Sequence, residues 1–203
     1  MHGLIFKALQ GFFADTYGPA MWDGITRQAK LEARSFESML IYDDSCVDDI
    51  LTAATDRLNR PRSEVLEDIG TYLVSHPRFE RLRRLLRFGG VDFTDFLYSI
   101  EDLPDRARLA VPDLGLPHMD LTDCRDGAFT LRSTSTMPGY SFVLAGLLRA
   151  LADDYGVLIM VDDPAHQADA WTLGPNRETL SIRVLDASYA AGRQFDLAAG
   201  ALS

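Results

Sequence analysis

Up to residue 111 the apolar side chains return at helical spacing. In "LIFKALQGFFADTYG", Leu4, Ile5, Ala8, Leu9, Phe12 and Phe13 share one broad face, and Gly18 suits a carboxy-terminal cap. Val47, Ile50, Leu51, Ala54 and Leu58 repeat the pattern in "SCVDDILTAATDRLNR". Ser63 is placed to cap the next helix, whose early acids Glu64, Glu67 and Asp68 suit the positive end of a helix dipole. After Pro77 the run "RFERLRRLLRF" is helical until Gly89 and Gly90 stop it, and Phe93, Phe96, Leu97 and Ile100 form a further stripe. From Pro112 the character changes. "GLPHMDLTDCRDGAFTLRSTST" alternates around turn residues and predicts a hairpin. A helix follows over 141–154, with Val143, Leu144, Leu147, Leu148 and Leu151 facing inward. "GVLIMVDD" and "ETLSIRVLD" predict two more strands, separated by a loop containing Pro164, Gly174 and Pro175. The order of elements gives an α+β architecture in a single domain over 1–186. A helical part (1–111) precedes a small antiparallel sheet with one long helix (112–186), and the small-residue-rich tail 187–203 is expected to fray.

Composition narrows the function. Of 203 residues 47% are apolar, ordinary for a globular chain. A net charge of −10 opposes binding to nucleic acid or to an anionic membrane. No apolar run approaches the roughly 20 residues of a membrane helix, and "MHGLIFKALQGFF" has neither the basic start nor the small-residue cleavage site of a signal peptide. Cys46 and Cys124 lie far apart and read as free thiols in a reducing cytoplasm. The arginines of "RFERLRRLLR" (Arg78, Arg81, Arg84, Arg87) fit a solvated or partner-facing helix edge better than a nucleic-acid surface. An enzyme is not predicted: no nucleophile–base set, phosphate loop or zinc spacing stands out. "YDDSCVDD" lacks the glycine and terminal glutamate of a calcium loop, and reads as a helix amino-terminal cluster.

Four segments in order carry a resemblance. "MHGLIFKALQGFFADTYG", "ATDRLNRPRSEVLEDIGTYLV", "LLRFGGVDFTDFLYSIEDL" and "PGYSFVLAGLLRALADDYG" are together similar to the haem-nitric-oxide/oxygen-binding (H-NOX) family, related to the sensor domain of soluble guanylate cyclase. The resemblance implies haem as cofactor, a diatomic gas as signal, and a separate diguanylate cyclase, histidine kinase or chemoreceptor as partner.

Both motifs that carry the family's chemistry depart from pattern. The family's iron-binding histidine stands 13 residues before a proline that presses on the haem. Counting back from Pro117 lands on Pro104, which has no lone pair for iron and suits a helix's first turn. The family's Tyr-x-Ser-x-Arg, which binds haem carboxylates, falls on Ser133, Ser135 and Met137. Met137 has neither the charge nor the paired donors of a guanidinium. Arg132 is on the opposite face of the same strand. His118 is a candidate substitute axial ligand, read alternatively as an exposed turn histidine. His2 sits beside the expected distal wall with no specific role, His76 ends a helix, and His166 is expected on a loop. Cys124 and Met137 are soft donors, a class that haem iron accepts, although packing is the ordinary role of such residues. Position matching puts Ile5 and Leu9 on the distal wall; both are apolar, which favours nitric oxide or carbon monoxide over oxygen. A haem face would bury against Ile5, Leu9, Phe93, Leu97, Leu144 and Leu148. Two readings follow: a haem-type sensor with degenerate ligation, or a cofactor-free module of the same fold that binds an apolar ligand or a protein.

Overall fold

Two helices far apart in sequence, α4 (Arg62–Ser75) and α8 (Tyr140–Tyr155), form the crossing on which the other elements are arranged. Their contact is a pair of notches. A β-carbon on Gly70 would run into the Val143 carbonyl oxygen, and one on Gly146 would run into that of Glu67. Only glycine lets the two backbones approach this closely, and the Thr71 hydroxyl donates to the Gly146 carbonyl at 3.3 Å.

The computed structural model describes residues 1–31, 35–162 and 176–193. Around the crossing lie α1 (Gly3–Tyr17), α2 (Pro19–Gln28), α3 (Ser45–Leu58), α5 (Glu80–Arg87), α6 (Phe93–Tyr98) and α7 (Leu103–Ala110). The strands are β1 (His118–Asp123), β2 (Ala128–Ser135), β3 (Leu158–Val161) and β4 (Asn176–Asp186), in the order β1-β2-β4-β3 with every pairing antiparallel. This is the expected α+β arrangement. The β1–β2 hairpin turns through Arg125, Asp126 and Gly127, all at positive φ, and the Asp123 carboxylate accepts the Arg125 N–H at 2.7 Å.

Helix α8 separates two cores. One face, with Leu144, Leu148 and Leu151, packs with Phe93, Phe96 and Leu97 and the inner face of the sheet, Leu131 and Leu180 among them. The other face presents Val143 to a core built from α1, α2, α3 and α4, in which α1, α2, α4 and Phe36 supply the aromatic residues. In that core Phe6 stacks on Phe36 with centroids 4.5 Å apart, and Phe13 stacks on Trp22 at 6.4 Å.

Several local expectations are met. Gly18 caps α1 at φ 90° with its N–H on the Ala14 carbonyl, α5 ends just before Gly89, and Phe93, Phe96, Leu97 and Ile100 are all buried. Ser63 is not the cap of α4; the helix begins at Arg62 behind Pro61, whose fixed φ already suits a helix start. Residues 187–193 are also better held than expected. The Ala190 N–H donates to the Gly156 carbonyl and the Arg193 N–H to that of Asp154, which ties the segment to the carboxy-terminal end of α8. The loop with Pro164, His166, Gly174 and Pro175, and the tail 194–203, lie outside the described residues.

A cavity between α1, α4 and the start of α8

The start of the chain is fixed by backbone pairing. Gly3 N–H donates to the Leu40 carbonyl at 2.8 Å and Tyr42 N–H to that of Met1 at 2.9 Å, an isolated bridge that sets His2 against Ile41. Helix α1 leaves this bridge with Ile5, Ala8 and Leu9 turned toward α3 and α4, but their side chains do not close the gap. A cavity of about 360 Å³ remains, walled by those residues with Val47, Leu51, Leu66, Ile69, Leu73 and Val143. The segment Asp113–Pro117, the last residue of β2 with the bend after it (Ser135 to Met137) and Tyr140 complete it. Its size and mainly apolar wall are those of a small-molecule site.

Five of the predicted positions meet here: Ile5, Leu9, Pro117, Ser135 and Met137. The other four do not line the cavity. Pro104 is buried as the second residue of α7. Ser133 is 2% exposed, inside the sheet opposite Glu178. Leu144 belongs to the sheet-side core, together with Phe93, Leu97 and Leu148. The expected haem face therefore divides between two cores, because α8 turns Val143 one way and Leu144 the other. His118 begins β1 with its side chain 71% exposed, 3.2 Å from the Asp120 carboxylate, and does not reach the cavity as a substitute axial donor. Strand β2 stops at Ser135, so Met137 reaches the cavity from the bend after the strand, where its N–H donates to the Ser135 hydroxyl at 3.0 Å. Arg132 faces outward, as its parity predicts.

Two polar groups in the wall have roles that the sequence did not predict: His2, expected beside the wall without a role, and Tyr140. His2 is 4% exposed and caps α1, its Nδ1 accepting the Leu4 N–H at 3.2 Å. Tyr140 opens α8; its hydroxyl has no hydrogen-bond partner among the described residues, and burial pushes its phenol up to about 12. Alternation cannot reveal either one. Both sit at helix starts, where cap and turn geometry decide which way a side chain points.

Asp44 and Asp113, both exposed, are among the lining residues, and the Asp44 carboxylate is paired with the Met1 amine. Behind Tyr140 the Glu178 carboxylate, 8% exposed, accepts the N–H groups of Gly139 at 2.5 Å and Ser141 at 2.7 Å. That carboxylate already satisfies the amino-terminal donors of α8, where an exogenous anion would otherwise be welcome.

The family model described as "Haem-NO-binding" matches residues 2–162, and the chain belongs to this family. It is 25% identical over 182 residues to soluble guanylate cyclase 89Da of Drosophila melanogaster, covering 88% of this chain and 27% of that protein. Soluble guanylate cyclase 89Db of the same fly is 23% identical over 155 residues, 76% of this chain and 23% of that protein. The chain thus spans about a quarter of these curated relatives. Among solved structures, an H-NOX protein from S. oneidensis in the Fe(II) ligation state superposes with a TM-score of 0.75 at 22% identity, covering 92% of this chain and 97% of that one. An oxygen-binding H-NOX domain related to soluble guanylate cyclases gives 0.71 at 16% identity, covering 96% and 100%. These likenesses establish the fold.

The residues present do not fit haem held in the family's way. Haem needs an axial donor and partners for two carboxylates. Pro104 supplies no donor and stands outside the wall. His2 is the one imidazole among the described lining residues, and its Nδ1 is occupied as an acceptor, so its proton sits on Nε2 and leaves no lone pair there for iron. Among the described residues no lysine or arginine lines the cavity, and the Met1 ammonium that does is paired with Asp44.

Elsewhere the surface chemistry is turned inward. Arg83 bonds Asp154 and Glu80, Arg84 bonds Glu80, and Arg78 bonds Asp15. Arg87 lies 3.7 Å over the Tyr155 ring. Among the described residues no cluster of three metal-ligating side chains occurs, and no helix is long and apolar enough to cross a membrane.

Proposed function

We propose that this chain is an H-NOX sensor-type signalling domain, not itself an enzyme, whose cavity responds to a ligand without a histidine–iron switch. It reports to a separate protein in the cytoplasm, a diguanylate cyclase, histidine kinase or chemoreceptor. The observation that supports this reading is the cavity itself, a mainly apolar hollow lined by Ile5, Leu9, Pro117, Ser135 and Met137, positions that the family resemblance points to. The sensor role and the partner classes rest on family membership. The free thiols of Cys46 and Cys124 agree with a reducing compartment.

A haemin titration of the purified chain, with spectra recorded reduced and with nitric oxide, tests the reading. The expected result is no stoichiometric Soret band beyond that of free haemin. A sharp one-to-one band that shifts with the gas would return the chain to ordinary haem sensing.

A further inference from the structure

We infer that the cavity selects an uncharged, mainly apolar small molecule bearing a hydrogen-bond acceptor, such as a ketone, ester or amide carbonyl, and rejects carboxylates. The inference rests on the preceding reading that the cavity is a ligand site.

The first ground is His2. It is 4% exposed, lines the cavity, and is held in place by the backbone pairing of residues 1–3 with 40–42. With Nδ1 spent on the Leu4 N–H, Nε2 is a donor, and it has no partner among the described residues. A donor turned into an apolar cavity with no protein partner is a ready place for a ligand acceptor. The second ground is the Tyr140 hydroxyl, a further donor in the same wall with no partner among the described residues. The third is charge. The Met1 ammonium in the wall is already paired with Asp44, Asp113 stands nearby, Glu178 flanks Tyr140, and Met137 offers no cation, so a ligand carboxylate would find no unpaired cation among the described lining residues. The rest of the wall, Ile5, Leu9, Leu66, Ile69 and Val143, contributes only apolar contact.

The test uses the whole chain and N-phenyl-1-naphthylamine, a neutral fluorescent probe, displaced at neutral pH by 2-nonanone, nonanoate or butylbenzene. The expected order places 2-nonanone at least about tenfold ahead of nonanoate, which is ionised at this pH. Tyr140→Phe and His2→Phe each weaken 2-nonanone about three- to tenfold, the range of one neutral hydrogen bond, and leave butylbenzene within twofold. Because His2 also caps α1, Tyr140→Phe, which removes only a hydroxyl, keeps the test valid if His2→Phe unfolds. Met137→Arg is expected to admit nonanoate. Saturable probe binding with nonanoate competing as well as 2-nonanone would overturn the ligand class and leave the ligand site standing. Equal losses for 2-nonanone and butylbenzene in Tyr140→Phe would overturn the donor role. The absence of saturable probe binding would overturn the site itself.

Discussion

The two cores that meet across α8 are built from similar side chains and end differently. On the sheet side Leu148 and Leu151 are fully buried, and Phe96, Leu131 and Leu180 close around them. On the helical side Ile5, Leu9, Ile69 and Val143 come from equally regular helices and leave about 360 Å³ between them. A packed interior holds few voids larger than a water molecule, so a hollow of this size beside a well-filled core marks a site rather than a packing fault.

That contrast can be broken from either side. Leu148→Ala, in the filled core, is expected to cost about 3–5 kcal/mol by chemical denaturation and to leave probe affinity unchanged in the folded fraction. Gly146→Ala strikes the crossing itself. Alanine is the better helix former, yet its methyl meets the Glu67 carbonyl, and a net loss of roughly 1–3 kcal/mol is expected in the same measurement. Glu178→Gln keeps the shape and removes the charge that accepts two N–H groups at the start of α8. A loss of about 1–2 kcal/mol is expected, with hydrogen exchange faster at Gly139 and Ser141.

A pH experiment isolates Tyr140. Its phenol is raised from the usual 10 to about 12 by burial, so the fold favours the protonated form. The stability this represents is fully present below about pH 10 and is lost as pH rises from there toward 12. Tyr140→Phe should therefore flatten the decline of the unfolding free energy across that window relative to the parent, by on the order of 1 kcal/mol. The smallest effect on stability is expected for Ala8→Phe, which adds a ring where the cavity is open. Thermal melting should move by less than roughly 1 kcal/mol while probe binding disappears.

Much of the scaffold was legible in the sequence because it follows from periodicity. Phe93, Phe96, Leu97 and Ile100 recur at helical spacing, and all four are buried. The hairpin of β1 and β2 follows from alternation around "DCRDG". Five cavity residues were reached through the family motifs, Met137 and Ser135 among them. What stayed hidden depends on three-dimensional direction. Leu144 and Val143 are neighbours on one apolar run, yet face different cores. Glu178 shares the inward parity of Leu180 and Ile182, but alternation alone does not reveal that its carboxylate meets the α8 amino terminus. His2 gains its role only from the pairing of the chain start with residues 40–42, a contact between segments with no sequence signal in common.

The most direct measurement is native mass spectrometry of the full chain as purified from its expressing cells, followed by denaturation of the same sample and identification of anything released. The account predicts the bare chain, or the chain with one small uncharged apolar molecule that Ala8→Phe excludes. One equivalent of haem retained through native conditions and freed on denaturation would contradict it.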